Sequence, residues 1–256
     1  MKSILIPTDF SPASNNAITY GIQFAKLFDS KIKLFNVYHP IPYNPEVYSF
    51  IAEKEFKKLE EDSTKKLQSI ANKTNKKLDK NCSIENSEGL ASDEIVKIID
   101  REIPDLTIMG AHGMSAFQQA IFGNITLEVV RNAERPVLVI PEKSKYKNLK
   151  KILFATDYHD SDIDSILFLV NIAKKYDAEL DIIHIATGEV KLRIEQSYID
   201  DFKSLVKEKT RYKNINFELI ENQNIAKGLN NYIKKNHIDL VAIARKERSL
   251  FVRLLI

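Results

Sequence analysis

The chain has 256 residues, 44% of them apolar and 29% charged, which is material for two ordinary packed domains and excludes a disordered chain. A net charge of +3 is too small to argue for nucleic acid, and the lone cysteine, Cys82, excludes an intrachain disulfide framework or a cysteine zinc site. The opening apolar run Ile4–Ile6 stops at Pro7, Thr8 and Asp9, unlike a signal peptide, and no apolar stretch nears the roughly 20 residues of a membrane span. The expectation is a cytoplasmic protein without a membrane partner.

In chain order, Ile4–Ile6 reads as a buried strand. Ser11-Pro12 reads as an N-cap with proline at the first helical position, opening a helix that runs to Phe28. Lys31–Tyr38 is β-rich, and Pro40, Pro42 and Pro45 make a loop. Glu46–Thr74 is a long charged amphipathic helix whose Phe56, Leu59 and Leu67 suit packing on a sheet better than a coiled coil. Asn81–Ile84 is a weak strand. Ser92 is the expected cap of a helix carrying Ile95, Ile98 and Ile99, and Asp105–Met109 is a strand. Gly123–Ala133 is a helix with Leu127 and Val130 inward, and Pro136–Ile140 is a fifth strand.

The pattern then repeats. Ile4-Leu5-Ile6-Pro7-Thr8-Asp9 matches Ile152-Leu153-Phe154-Ala155-Thr156-Asp157, and Pro104–Met109 resembles Ile238–Ile243. The polar stretch Glu142–Leu149 joins the copies. The second copy has strands at Lys151–Ala155, Asp181–Ile185, Asn216–Ile220 and Leu240–Ala244, with helices near Asp162–Tyr176, Val190–Lys209 and Ile225–Asn236. Strands alternating with helices predict a parallel sheet covered on both faces. The expected architecture is two tandem doubly wound α/β domains, 1–146 and 147–256, the second lacking its last helix and strand.

Three of only seven glycines, Gly110, Gly113 and Gly123, cluster around a predicted strand end and a predicted helix start. Such glycines can present N–H groups to an anion, and a helix start adds further free N–H groups. The same spacing also fits glycines that make tight turns. Ligands of open α/β sheets bind beyond the carboxyl ends of strands, at the point where strand order reverses. Asp9, Val37 and the glycine segment then line one crevice if their strands are neighbours. Asp9 bonds a ribose or base there, or caps the helix near Ser11. His112 lies inside the glycine segment, reaching a phosphate or facing solvent. Thr126 offers a hydroxyl to a phosphate or to the backbone.

The pattern G-x-x-G, nine residues, G and a small polar residue resembles the nucleotide signature of the universal stress protein family, as do the opening ILIPTDFS and the closing RPVLVIP. The resemblance spans the whole chain as a tandem two-domain member. It implies an adenine-nucleotide α-hydrolase-like fold of strand order 3-2-1-4-5. It also implies ATP with its base near Pro7, Thr8, Asp9 and Val37, and its phosphates on Gly110, Gly113, Gly123, Asn124 and Ile125, with Mg²⁺ as a companion. A homodimer or an intrachain pseudo-dimer is implied as well.

Two departures stand out. Asn124 replaces the family's usual Ser or Thr, keeping a hydrogen-bond donor but losing a hydroxyl. In the second copy Ala244 and Glu247 fall where Gly110 and Gly113 stand, within the run Ala244-Arg245-Lys246-Glu247-Arg248. Side chains at close-approach positions, one of them acidic, block a backbone phosphate cradle. The expected function is a stress-response regulatory protein that binds ATP or a related adenine nucleotide in its first domain, beside a degenerate second domain. A nucleotide-independent interaction scaffold and a slow ATP hydrolase are the alternatives. No residue is singled out as catalytic or as a metal ligand.

Overall fold

The first apolar run becomes β1 (Ser3–Pro7), buried from Ile4 onward because a parallel strand is covered on both faces. The computed structural model describes residues 1–38, 50–78, 82–111, 123–159, 161–187, 189–244 and 252–255. Its contacts divide the chain into two units, Met1–Ser144 and Lys145–Ile256.

In the first unit, α1 (Pro12–Phe28) starts as the sequence predicts. Ser11 Oγ accepts the Ser14 N–H at 3.2 Å, with Pro12 at the first position. It ends at Asp29, left-handed at φ 59°, whose N–H bonds the Ala25 carbonyl. Then follow β2 (Lys31–Tyr38), α2 (Phe50–Asn75), β3 (Ser83–Glu88), α3 (Ala91–Glu102), β4 (Leu106–Ala111), α4 (Asn124–Asn132) and β5 (Val137–Pro141). The strands are parallel in the order β3-β2-β1-β4-β5, with Ile4 opposite both Ile32 and Leu106. Strand order reverses at β1, so the carboxyl ends of β1 and β4 border a crevice.

The second unit has β6 (Lys151–Ala155), α5 (Asp162–Tyr176), β7 (Glu179–Ala186), α6 (Glu189–Thr210), β8 (Ile215–Glu221), α7 (Ile225–Asn236), β9 (Leu240–Ala244) and β10 (Val252–Leu255). Strands β8-β7-β6-β9 are parallel. Among the described residues no parallel fifth strand follows β9. The short β10 runs antiparallel to β9, Leu255 opposite Val241.

The units share their special backbone positions. Phe10 and Tyr158 (φ 67° and 58°), Asp29 and Asp177 (59° and 52°), and Ile103 and His237 (48° and 54°) are left-handed at corresponding places. Asp105 accepts the N–H groups of Lys2 and Ser3, and Asp239 those of Lys150 and Lys151, pinning each first strand at its start.

Some elements differ from the sequence reading. The third strand extends through the polar run Glu85–Glu88, which an edge strand tolerates. Lys33 on β2 holds it by pairing with Glu85 (3.0 Å) and with Glu102 of α3 (2.9 Å). Ser92 is not the cap of α3. The chain turns at Gly89 (φ 147°), Leu90 takes the cap position without a side-chain bond, and Ser92 falls inside the first turn. In α4 the buried residues are Thr126 and Val129, with Leu127 and Val130 half-buried, because the Thr126 hydroxyl anchors inward on β4. The long helix α2 packs through Ser63, Leu67, Ala71 and Thr74 at spacings of three and four, with Leu59 exposed. Its expected start at Glu46 lies outside the described residues. No helix among the described residues is long and apolar enough to cross a membrane.

Candidate functional site

Beyond β1 the chain turns sharply through Phe10 into α1. The left-handed Phe10 is held from both sides: its N–H donates to Thr8 Oγ1 (3.1 Å), and its carbonyl accepts from Asn15 Nδ2 (3.2 Å). Thr8 Oγ1 donates to Ser14 Oγ (3.0 Å), which donates to the Ser11 carbonyl (3.0 Å). Asp9 Oδ1 accepts the Ser11 N–H at 3.0 Å. Burial pushes the Asp9 carboxyl up, but hydrogen bonds from Ser11 and Ser14 outweigh it and hold the group below its ordinary value. Asp9 is therefore anionic at neutral pH.

A buried polar chain braces this turn from the sheet. Asn36 on β2 donates from Nδ2 to the Thr8 carbonyl at 2.7 Å. Ser63 Oγ of α2 lies 2.6 Å from Asn36 Oδ1 and 2.9 Å from Asn86 Oδ1 on β3. The Thr8 N–H donates to the Phe35 carbonyl, continuing the β1–β2 ladder (2.8 Å). Orphaned polar groups at this depth are costly, so the chain fixes where Thr8 and Asp9 sit.

The opposite wall is the end of β4 and the start of α4. The Thr126 hydroxyl donates to the Gly110 carbonyl at 3.1 Å. A Cβ on Gly110 would lie 2.5 Å from the Ala13 carbonyl carbon and 2.8 Å from the Ser14 nitrogen. Close passage of β4 against the first turn of α1 thus requires glycine there, and its φ is not left-handed.

Between these walls lies a cavity of about 400 Å³. The sequence-predicted residues Pro7, Thr8, Asp9, Val37, Gly110, Gly123, Asn124, Ile125 and Thr126 all line it. His112 and Gly113 lie outside the described residues. The sequence reading missed Ser14, Phe35, Met109 and the α3 residues Ala91 and Ile95. Their periodicity marked Ile95 as core, and only the tertiary fold puts one end of α3 over the crevice. Gly123 caps α4 in an extended conformation, and Asn124 and Ile125 are exposed in its first turn. That turn borders a recess whose walls are mostly apolar.

The corresponding place in the second unit is built differently. Thr156, Asp162 and His184 stand where Thr8, Ser14 and Asn36 stand in the first. Thr156 Oγ1 donates to Asp162 Oδ2 (2.5 Å), and His184 Nδ1 donates to the Thr156 carbonyl (2.7 Å). The Tyr158 ring packs against His184 (5.1 Å between centres) and edge-on to Phe202 (5.3 Å). Ala244 ends β9 where Gly110 stands in the first unit.

An open parallel sheet with a cavity at its switch point is the place where α/β proteins of this class hold ligands. The profile of the universal stress protein family matches residues 1–141, and the chain belongs to that family. It is similar to Universal stress protein MJ0531 of Methanocaldococcus jannaschii, at 31% identity over 147 residues, covering 56% of this chain and 84% of that protein. Universal stress protein MJ0577 of the same organism is 28% identical over 159 residues, covering 56% of this chain and 96% of that protein. A universal stress protein structure from Archaeoglobus fulgidus shares the fold with a TM-score of 0.75 at 16% identity, over 99% of this chain and 97% of that one.

Proposed function

We propose that the first unit is a nucleotide-binding regulatory module of the stress-response class, taking ATP or a related adenine nucleotide. In this reading the base and ribose lie against Pro7, Thr8, Asp9 and Val37. The phosphates meet the backbone of Gly110, Gly113 and Gly123–Thr126, beside His112. The second unit, residues 147–256, is a degenerate copy that does not bind in this way, and bound nucleotide biases a conformation or an oligomer. The observation that supports this most is convergence: residues from five separated stretches of the sequence line one cavity at the strand-order switch. Binding rather than turnover is favoured because phosphoryl transfer calls for a positioned charge stabiliser, and the lining brings no lysine or arginine among the described residues.

Among the described residues no group of three His, Cys, Asp or Glu could hold a metal ion, and in this reading Mg²⁺ is a companion of the phosphates. Calorimetric titration of ATP–Mg²⁺ and AMP into wild type and Ile125→Glu tests the reading. Ile125 is exposed, so the variant keeps the fold while placing a carboxylate beside the phosphates. The expected result is saturable binding to wild type and at least tenfold weaker binding to the variant. Equal affinities, or no binding to either, overturn the proposal.

A further inference from the structure

In the second unit the amino ends of β6 and β9 border a basic recess of about 370 Å³. Lys147, Lys150 and Lys151 reach it from the approach to β6 and its first residue, and Lys235, His237 and Asp239 from the end of α7 and the turn before β9. The side chains described around it are all polar or charged, so it offers nothing to an apolar group.

Its charge does not cancel. Asp239 is already engaged: Oδ2 accepts the N–H groups of Lys150 (2.7 Å) and Lys151 (3.0 Å), and Oδ1 pairs with the Lys147 ammonium. Burial pushes the Asp239 carboxyl up, but these bonds outweigh it and hold the group below its ordinary value, so it is anionic at neutral pH. Glu179 of β7 pairs with Lys151 at 3.1 Å. Four ammonium groups thus meet two carboxylates, which leaves two cations in excess. Among the described residues Lys150 and Lys235 have no carboxylate partner.

A lysine in the last turn of a helix is ordinary, because it meets the negative end of the helix dipole. That accounts for Lys235 alone, since the other three lysines come from outside α7. Carbonyls at that helix end are also occupied. The Tyr232 carbonyl accepts from Asn236 Nδ2 (3.2 Å), and the Ile233 carbonyl accepts the N–H groups of His237 and Ile238. At the corresponding place in the first unit the cation is neutralised. Arg101 stands where Lys235 does and pairs with Glu85 and with Glu102 (3.3 Å), and the second unit has Asn236 in place of Glu102.

We propose that this recess binds a compact anion carrying two or more phosphate groups. Ammonium groups on flexible stems serve phosphate oxygens as point charges, whereas a carboxylate is matched by the planar fork of arginine, which the lining lacks among the described residues. Several ammonium groups around one recess suit adjacent phosphates better than one. The site does not depend on the nucleotide reading, because its residues all belong to the second unit.

The test is titration of the whole protein at about 0.15 M salt, where charges a Debye length apart are screened, read by calorimetry and amide NMR shifts. The probes are tripolyphosphate, orthophosphate, fructose 1,6-bisphosphate and an aspartate-rich peptide. Tripolyphosphate is expected to bind at least tenfold more tightly than orthophosphate and to shift the amides of Lys147, Lys151 and Asp239. Lys150→Glu with Lys235→Glu, both exposed, is expected to weaken it at least tenfold. Lys150→Gln with Lys235→Gln, gentler on the fold, is expected to weaken it at least threefold. Lys227→Glu with Lys234→Glu makes the same charge change on α7 outside the recess and is expected to weaken it less than threefold. Whichever of tripolyphosphate and the bisphosphate binds more tightly supports the site and tells an inorganic chain from a phosphate ester as its source. Equal losses in the two glutamate pairs overturn the proposal in favour of diffuse surface charge. Peptide binding as tight as that of tripolyphosphate, shifts confined to the first unit, or no binding at all also overturn it.

Discussion

The Thr126 hydroxyl donates to the Gly110 carbonyl across 3.1 Å, tying the first turn of α4 to the last residues of β4. Thr126 is buried while its neighbours Asn124 and Ile125 face outward, so this bond sets the rotation of α4 about its axis. It also sets where Asn124 and Ile125 stand at the cavity edge.

Replacing Thr126 by Val keeps the shape and removes the bond. The expected cost is about 1 kcal/mol, with a larger proportional loss in nucleotide affinity, because the helix start loses its anchor. Urea unfolding and calorimetric titration of the same variant check both. An affinity unchanged at reduced stability would detach Thr126 from the site.

Gly110→Ala and Gly21→Ala form a pair. At Gly110 the added methyl meets the backbone of Ala13 and Ser14, which cannot move without shifting α1. At Gly21 it meets Cδ1 of Ile6, the flexible end of a side chain, at 2.3 Å. Gly110→Ala is expected to cost about 1–3 kcal/mol and to distort the cavity, and Gly21→Ala to cost less. Urea midpoints of both variants, with amide exchange of β4, test the order. Equal costs would mean that α1 yields as readily as a side chain.

Asp162 makes a prediction about pH. Its burial, with a contribution from the charge of Asp157, raises the carboxyl above its ordinary value despite the Thr156 bond. The folded form therefore binds more protons than the unfolded form in the window above the unfolded value of about 3.9. Stability of the second unit falls as pH rises through that window, and the burial cost is present in full above the folded pKa. Asp162→Asn, which can still accept from Thr156, is expected to stabilise the unit at neutral pH. The advantage shrinks as pH falls toward the unfolded value. Denaturant unfolding followed by amide exchange of β6 and β7 between pH 4 and 8 measures this. A variant less stable than wild type at pH 7 contradicts it.

The alternation of apolar runs with capped amphipathic stretches was enough to read the strands and helices, because each of those signals is local. Ser11-Pro12 capped its helix as written, and the repeat of Ile4–Asp9 at Ile152–Asp157 pointed to two similarly wound sheets. Local signals failed at edges. The polar Glu85–Glu88 reads as loop until β2 supplies its partners, and Ser92 reads as a cap until the turn at Gly89 moves the helix start.

What the sequence by itself determined is the chemistry available: which positions carry glycine, hydroxyl or carboxylate, and that the second copy has Ala244 and Glu247 where the first has Gly110 and Gly113. What only the tertiary structure decided is proximity. Parallel pairing of β1 with both β2 and β4 brings residues 7–9, 37 and 110 to one crevice, and α3 closes over it with Ile95. It also decided why Gly110 is glycine, since the atoms that exclude a side chain there belong to Ala13 and Ser14, far away in the sequence. Spacing along a chain encodes local geometry. Close approach between distant backbones comes only from packing the whole sheet against its helices.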